Sequence, residues 1–154
     1  MPSPDNTCTV AGMNGIQLTN LAVGFVAAAI AVLTVHEILV LLFKKVGLLP
    51  DATPWAMKRM GPLNVPTIVN SVFWGGLWGI VYVLAKDRLP GEESWQKGLL
   101  FGLLVALVSN FTILPLVKTK PLFMGFNFKI IACVLVILAG FGAATAVFFE
   151  NLIR

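Results

Sequence analysis

Charge is the first thing this sequence is short of. Asp, Glu, Lys and Arg make up 12% of its 154 residues, roughly half the share of an ordinary soluble domain. No Lys or Arg occurs before Lys44, and histidine occurs once, as His36. Cysteine occurs twice: Cys8 in a polar N-terminal tail and Cys133 inside an apolar run. These two are expected to lie too far apart to bridge, and no CxxC or His/Cys ligand spacing is present, so neither a disulfide framework nor a zinc site is expected. HExxH, GxSxG and the P-loop are absent as well. One histidine and one acid within the apolar runs do not make a hydrolase constellation, so the chain reads as a non-enzyme without a cofactor. His36 and Glu37 alone are too few ligands for a metal, and haem ligation through a single histidine would need a deep pocket.

What is there is apolar: 58% of the residues are hydrophobic and the mean hydropathy is +0.90. A chain this short leaves about 30% of its surface facing its solvent, and lipid is the solvent that accepts such a surface. A hydrocarbon core about 30 Å thick needs roughly 20 apolar residues. Four runs meet that length, at about residues 18–43, 65–85, 99–117 and 130–149, and the last three contain no charged residue. No helix among them has a solvated face, which argues against a soluble all-helical protein. The ten-residue alternation of a membrane barrel is missing. Backbone groups in lipid must be satisfied within the segment, so the runs are expected to be helices. The expected fold is all-α: one membrane domain, a bundle of four transmembrane helices. The flank before the first run lacks Lys and Arg and carries Asp5, unlike the positive start of a secretory signal, so that run is expected to stay as a span.

The net charge of +4 does not point to nucleic acid, because the basic residues are scattered over short loops. Seven of them (Lys44, Lys45, Lys58, Arg59, Lys118, Lys120, Lys129) fall on one side of a four-span arrangement, and four (Lys86, Arg88, Lys97, Arg154) on the other. The excess of basic residues marks the cytoplasmic side, which puts both termini outside. In the first cytoplasmic loop, Thr53 as N-cap, Pro54 in the first turn and Gly61-Pro62 as a stop predict a short helix lying at the interface. The loop from Pro115 to Lys129 mixes apolar and basic residues and is expected to dip into the interface. Ser94 is a candidate N-cap for the third span, with Trp95 in the aromatic belt.

Lipid gives helices no hydrophobic reason to associate, so they must approach closely through small residues. Gly24, Ala28 and Ala31 in the first span, Gly75 and Gly79 in the second, Gly98, Gly102 and Ala106 in the third, and Gly140 and Ala144 in the fourth supply such faces. The small-residue clusters of the second and fourth spans also suggest two hairpins related by duplication.

His36 and Glu37 form the one ionisable pair inside a run. His36 lies eight residues before Lys44, about 12 Å deep at 1.5 Å per residue. Adjacent helical residues point about 100° apart, so one side chain faces the bundle and the other a groove or a neighbouring chain. Asn70, Ser109, Asn110, Thr112 and Thr34 fall at similar depth, which predicts a polar layer of His36, Glu37, Asn70, Asn110 and Thr34. Such a layer serves as a register-fixing network, as a site for a proton, cation or polar solute, or as a contact to another membrane subunit or a lipid headgroup.

Val35-His36-Glu37, Pro54-Trp55-Ala56-Met57, Asn64-Val65-Pro66 and above all Phe73-Trp74-Gly75-Gly76-Leu77-Trp78-Gly79 resemble a family of small uncharacterised bacterial inner-membrane proteins with four spans. A Gln often follows the histidine there, and Glu37 departs from that. The resemblance implies a bacterial membrane and no particular activity. The expected function is structural or accessory, with the lipid bilayer, other membrane subunits or further copies of the chain as partners; the alternative is a minimal transporter or channel subunit.

Overall fold

The computed structural model describes residues 6–60, 64–113 and 127–154, with side chains described for 17–59, 64–109 and 127–154. Helix α1 (Asn6–Ala31) runs through a π segment (Val32–His36) into α2 (Glu37–Lys45) as one continuous rod. A loop carrying a two-residue hairpin, β1 (Arg59–Met60) against β2 (Val65–Pro66), leads to α3 (Thr67–Ala85), which ends in a 3-10 turn at Lys86–Arg88. Helix α4 (Ser94–Val105) also passes into a π segment, Ala106–Ile113, and α5 (Phe128–Ile153) closes the described chain. Three helices are long and apolar enough to cross a membrane: Gln17–Lys45, Thr67–Arg88 and Phe128–Ile153. The third expected span is represented by a shorter apolar helix, Ser94–Ser109; residues 114–117 of that run, and most of the loop expected to dip into the interface, lie outside the described residues.

Small residues fill the helix crossings, and many large apolar ones face outward. Ala27, Ala28, Ala31, Ala106 and Ala146 are fully buried, while Phe73, Trp74, Val81 and Leu84 of α3 are exposed. So many exposed large apolar side chains suit lipid better than water. Two hairpins result. In the first, a Cβ on Gly79 would meet the Gly24 carbonyl and the Ala28 side chain, and one on Gly75 would meet Val32. In the second, Gly98 faces Gly142, Ala143 and Ala146, and Gly102 faces the backbone of Leu138 and Ala139. The first rod and α5 form the seam between the hairpins, and Gly140 makes room there for Leu39 and Val35. The glycine at the tightest crossing of α5 is Gly142, with Gly98 and Gly102 against it; Ala144 instead packs beside the cluster of Ala28, Ala31, Val32 and Phe141.

Two local expectations are corrected. The short helix expected over 53–62 is not formed in its described part, 53–60: residues 53–58 are turn and irregular chain, and Arg59–Met60 is a strand. Tertiary hydrogen bonds override the helical punctuation there. Trp55 sits at φ 47 with its N–H committed to Glu37, and the Ala56 and Lys58 carbonyls accept the Ile68 and Thr67 N–H groups at the start of α3. The N-cap of α4 is Glu93, which forms a capping box with Gln96. Ser94 is released to donate its hydroxyl to Glu150 of α5, fastening the second hairpin at the end away from its connecting segment.

Candidate functional site

Between the four helical rods, in the half of the molecule holding the 46–66 loop, lies a chamber of about 170 Å³. Both π segments border it. The first places Val32 and His36 on its wall, and Ser109 comes from the second. Helix α3 contributes Ser71, Gly75 and Trp78, and α5 contributes Leu138 and Phe141. π segments insert an extra residue per turn, re-aim side chains, and are frequent at functional sites.

The first π segment explains how the His36–Glu37 pair is held. Glu37 N–H turns to the carbonyls of Val32 and Thr34, so the Leu33 carbonyl loses the partner a regular α-helix would give it. The indole N–H of Trp55 takes that carbonyl at 3.0 Å. Glu37 is buried, 6% exposed. One of its oxygens accepts the Trp55 backbone N–H at 2.6 Å, and the other lies 3.1 Å from His36 Nδ1. A carboxylate at this depth thus has both oxygens satisfied, as a buried charge requires. With Nδ1 donating to Glu37, the proton-free ring nitrogen of a neutral His36 is Nε2.

One polar atom beside the chamber is unanswered. Ser109 Oγ is buried and has no hydrogen-bond partner among the described residues. A buried hydroxyl left this way is destabilising by about 1–3 kcal/mol.

At the opposite end the space between the rods is filled. Tyr82 meets Phe101 at a ring-centroid distance of 5.3 Å and Phe149 at 6.1 Å, and Trp78 meets Phe101 at 6.3 Å. All three pairs are edge-on, and Tyr82, Phe101 and Phe149 are buried. The chamber is therefore one-sided, with an aromatic floor.

The polar layer expected from the sequence is only partly the one observed. His36 and Glu37 are together. Asn70 points away and is exposed, and its neighbour Ser71 lines the chamber instead. Thr34 spends its hydroxyl on the Ile30 carbonyl at 2.7 Å. The side chains of Asn110 and Thr112 lie outside the described residues. Sequence spacing had no means of choosing Ser71 over Asn70, since one residue of helix rotation decides it. Trp55 was beyond that reading too, because its role depends on a carbonyl that only a π turn leaves open. Among the described residues no group of three His, Cys, Asp or Glu is placed to hold a metal ion, and Cys133 is buried with a free thiol.

Set against known proteins, the chain matches no family model, no curated protein and no solved structure.

Proposed function

We propose that this protein is a small four-span protein of the bacterial inner membrane, both termini outside, acting as an accessory subunit with other membrane proteins or with copies of itself, and that its working site is the one-sided chamber behind His36. The observation that carries the reading is the combination of a largely apolar pocket bordered by His36, Ser71 and Ser109 in one half with a packed aromatic floor in the other. A subunit that senses or holds a small solute needs a pocket; a lone channel needs a continuous path, and Tyr82, Phe101 and Phe149 stand across it. Three long apolar helices and a shorter fourth support the membrane assignment, and the excess of basic residues near the 46–66 loop supports placing the chamber on the cytoplasmic side.

The test is co-purification from native membranes in mild detergent, comparing the wild type with Ser109→Val and Glu37→Gln. An accessory role predicts a retained partner, or a homo-oligomer, whose yield falls in at least one variant while monomer stability holds. If the wild type emerges alone and monomeric, the accessory reading is wrong. A second reading, a minimal transporter, is favoured by the unanswered Ser109 hydroxyl. It predicts solute flux in liposomes that is lost in His36→Ala.

A further inference from the structure

The two ends of the molecule carry charge differently. At the end holding Ser94 and Glu150, the cations Lys86, Arg88, Lys97 and Arg154 are matched in number by the acids Asp87, Glu92, Glu93 and Glu150. At the other end, Lys44, Lys45, Lys58 and Arg59 have only Asp51 among them. The ion pairs of the described residues are His36–Glu37 and Lys86–Asp87, so none of these four cations is paired with a carboxylate there.

The fold sets their level. Trp55 is bonded through its two N–H groups to Glu37 and to the Leu33 carbonyl. Glu37 lies eight residues before Lys45, about 12 Å back along the rod. The 46–60 segment therefore folds back against the first rod instead of standing out from its end. The Lys58 carbonyl accepts the Thr67 N–H at 2.9 Å, and Arg59 pairs with Pro66, which fixes both cations beside the first residues of α3. That helix has 19 residues, about 28 Å at 1.5 Å each, and just fills a hydrocarbon core of about 30 Å. Lys58 and Arg59 thus stand at the edge of that core, with Lys44 and Lys45 about two helical turns farther out.

Apolar side chains share this zone. Val46, Leu48, Trp55 and Met57 are exposed, as are Lys45, Lys58 and Arg59. Water is a poor solvent for the first group and hydrocarbon for the second; the headgroup layer accepts both. A single compact anion would not reach both pairs of cations, whereas a layer of headgroups does.

We propose that the surface from Lys44 to Arg59 binds anionic phospholipid headgroups, with Lys58 and Arg59 at the edge of the core and Met57 seated among the lipids. This is independent of the chamber and of which side is cytoplasmic.

The full-length protein is purified in mild detergent, freed of lipid and titrated with phosphatidylglycerol or phosphatidylcholine carrying the same chains. Native mass spectrometry counts the lipids bound. Phosphatidylglycerol is expected to bind about 25-fold more tightly, about fivefold for each of Lys58 and Arg59. Lys58→Gln/Arg59→Gln should erase most of that preference and leave phosphatidylcholine binding unchanged. Lys58→Arg/Arg59→Lys should keep it, as should Lys97→Gln at the other end. Met57 is 72% exposed, which suits it to a label. A bimane on Met57→Cys, in a Cys8→Ser background and in phosphatidylglycerol nanodiscs, should be quenched by a lipid bearing a nitroxide near its headgroup.

Equal binding of the two lipids by the wild type would overturn the proposal, as would a preference untouched in Lys58→Gln/Arg59→Gln. If that variant loses both lipids alike, its fold is damaged, and Lys58→Gln alone decides by the same criterion. Quenching of the bimane by aqueous iodide but not by the nitroxide lipid would put the loop in water and overturn the proposal. Release of a co-purified acidic protein by the variant, with lipid binding unchanged, would assign the surface to a protein partner instead and also overturn it.

Discussion

At the scale of single residues, glycine identity matters where two backbones touch. A Cβ at Gly79 would stand 2.6 Å from the Ala28 Cβ and closer still to the Gly24 carbonyl oxygen. Neither backbone can yield without parting the hairpin, so Gly79→Ala is expected to destabilise by about 2 kcal/mol, and Gly79→Leu by more. Thermal unfolding in detergent checks this, and a Gly79→Leu protein as stable as wild type would refute the packing role. Gly47 is a contrast: nothing lies within 4 Å of its Cβ position, but its φ is +75°. Gly47→Ala should therefore lose only the strain of a left-handed residue, about 1 kcal/mol. Trp55 matters for its N–H groups rather than its bulk. Trp55→Phe keeps the backbone donor to Glu37 and removes the indole donor to Leu33. The expected loss is about 1 kcal/mol, read as a lower unfolding midpoint.

At the scale of elements, the π segment of the first rod sets how α1 and α2 are rotated against each other. Deleting one residue from Val32–His36 should restore a regular helix and re-aim the side chains of that turn. Glu37 would then no longer face Trp55, and the 46–60 loop would lose two of its anchors. Limited proteolysis of the reconstituted protein should cut that loop faster in the deletion than in the wild type. Unchanged protection would show that the hairpin and the bonds from Lys58 and Ala56 to α3 hold it alone. The same scale explains why no short helix forms over 53–60. Its capping residues are ordinary helix signals worth about 1 kcal/mol, and they compete with a carboxylate and an open carbonyl at membrane depth, whose need for donors is greater.

At the scale of the whole molecule, the proposed orientation has a direct check. In cells carrying Cys8→Ser, a cysteine introduced at Glu92 should react with a membrane-impermeant thiol reagent added outside, and one introduced at Asp51 should not. The reverse pattern would invert the topology and put the chamber on the outer side.

Sequence and structure divide along a physical line. Solvent is a bulk property: the lengths and lack of charge of the apolar runs are sufficient to assign helices in lipid, and three of the four emerge at spanning length with ends near the expected ones. Small-residue faces are legible for a similar reason, since a helix in lipid has few other ways to pack, although Gly142 rather than Gly140 makes the tightest crossing in α5. Rotation about a helix axis is different. One residue shifts a side chain by about 100°, and two π segments, which no spacing rule announces, decide which side chains face inward. That is why Ser71 and Ser109 line the chamber while Asn70 faces outward, and why Trp55, eighteen positions beyond Glu37 in the chain, completes its site. The chain's composition determined its solvent; the chamber exists only because packed helices, two of them with a slightly altered turn, leave a space that their own side chains do not fill.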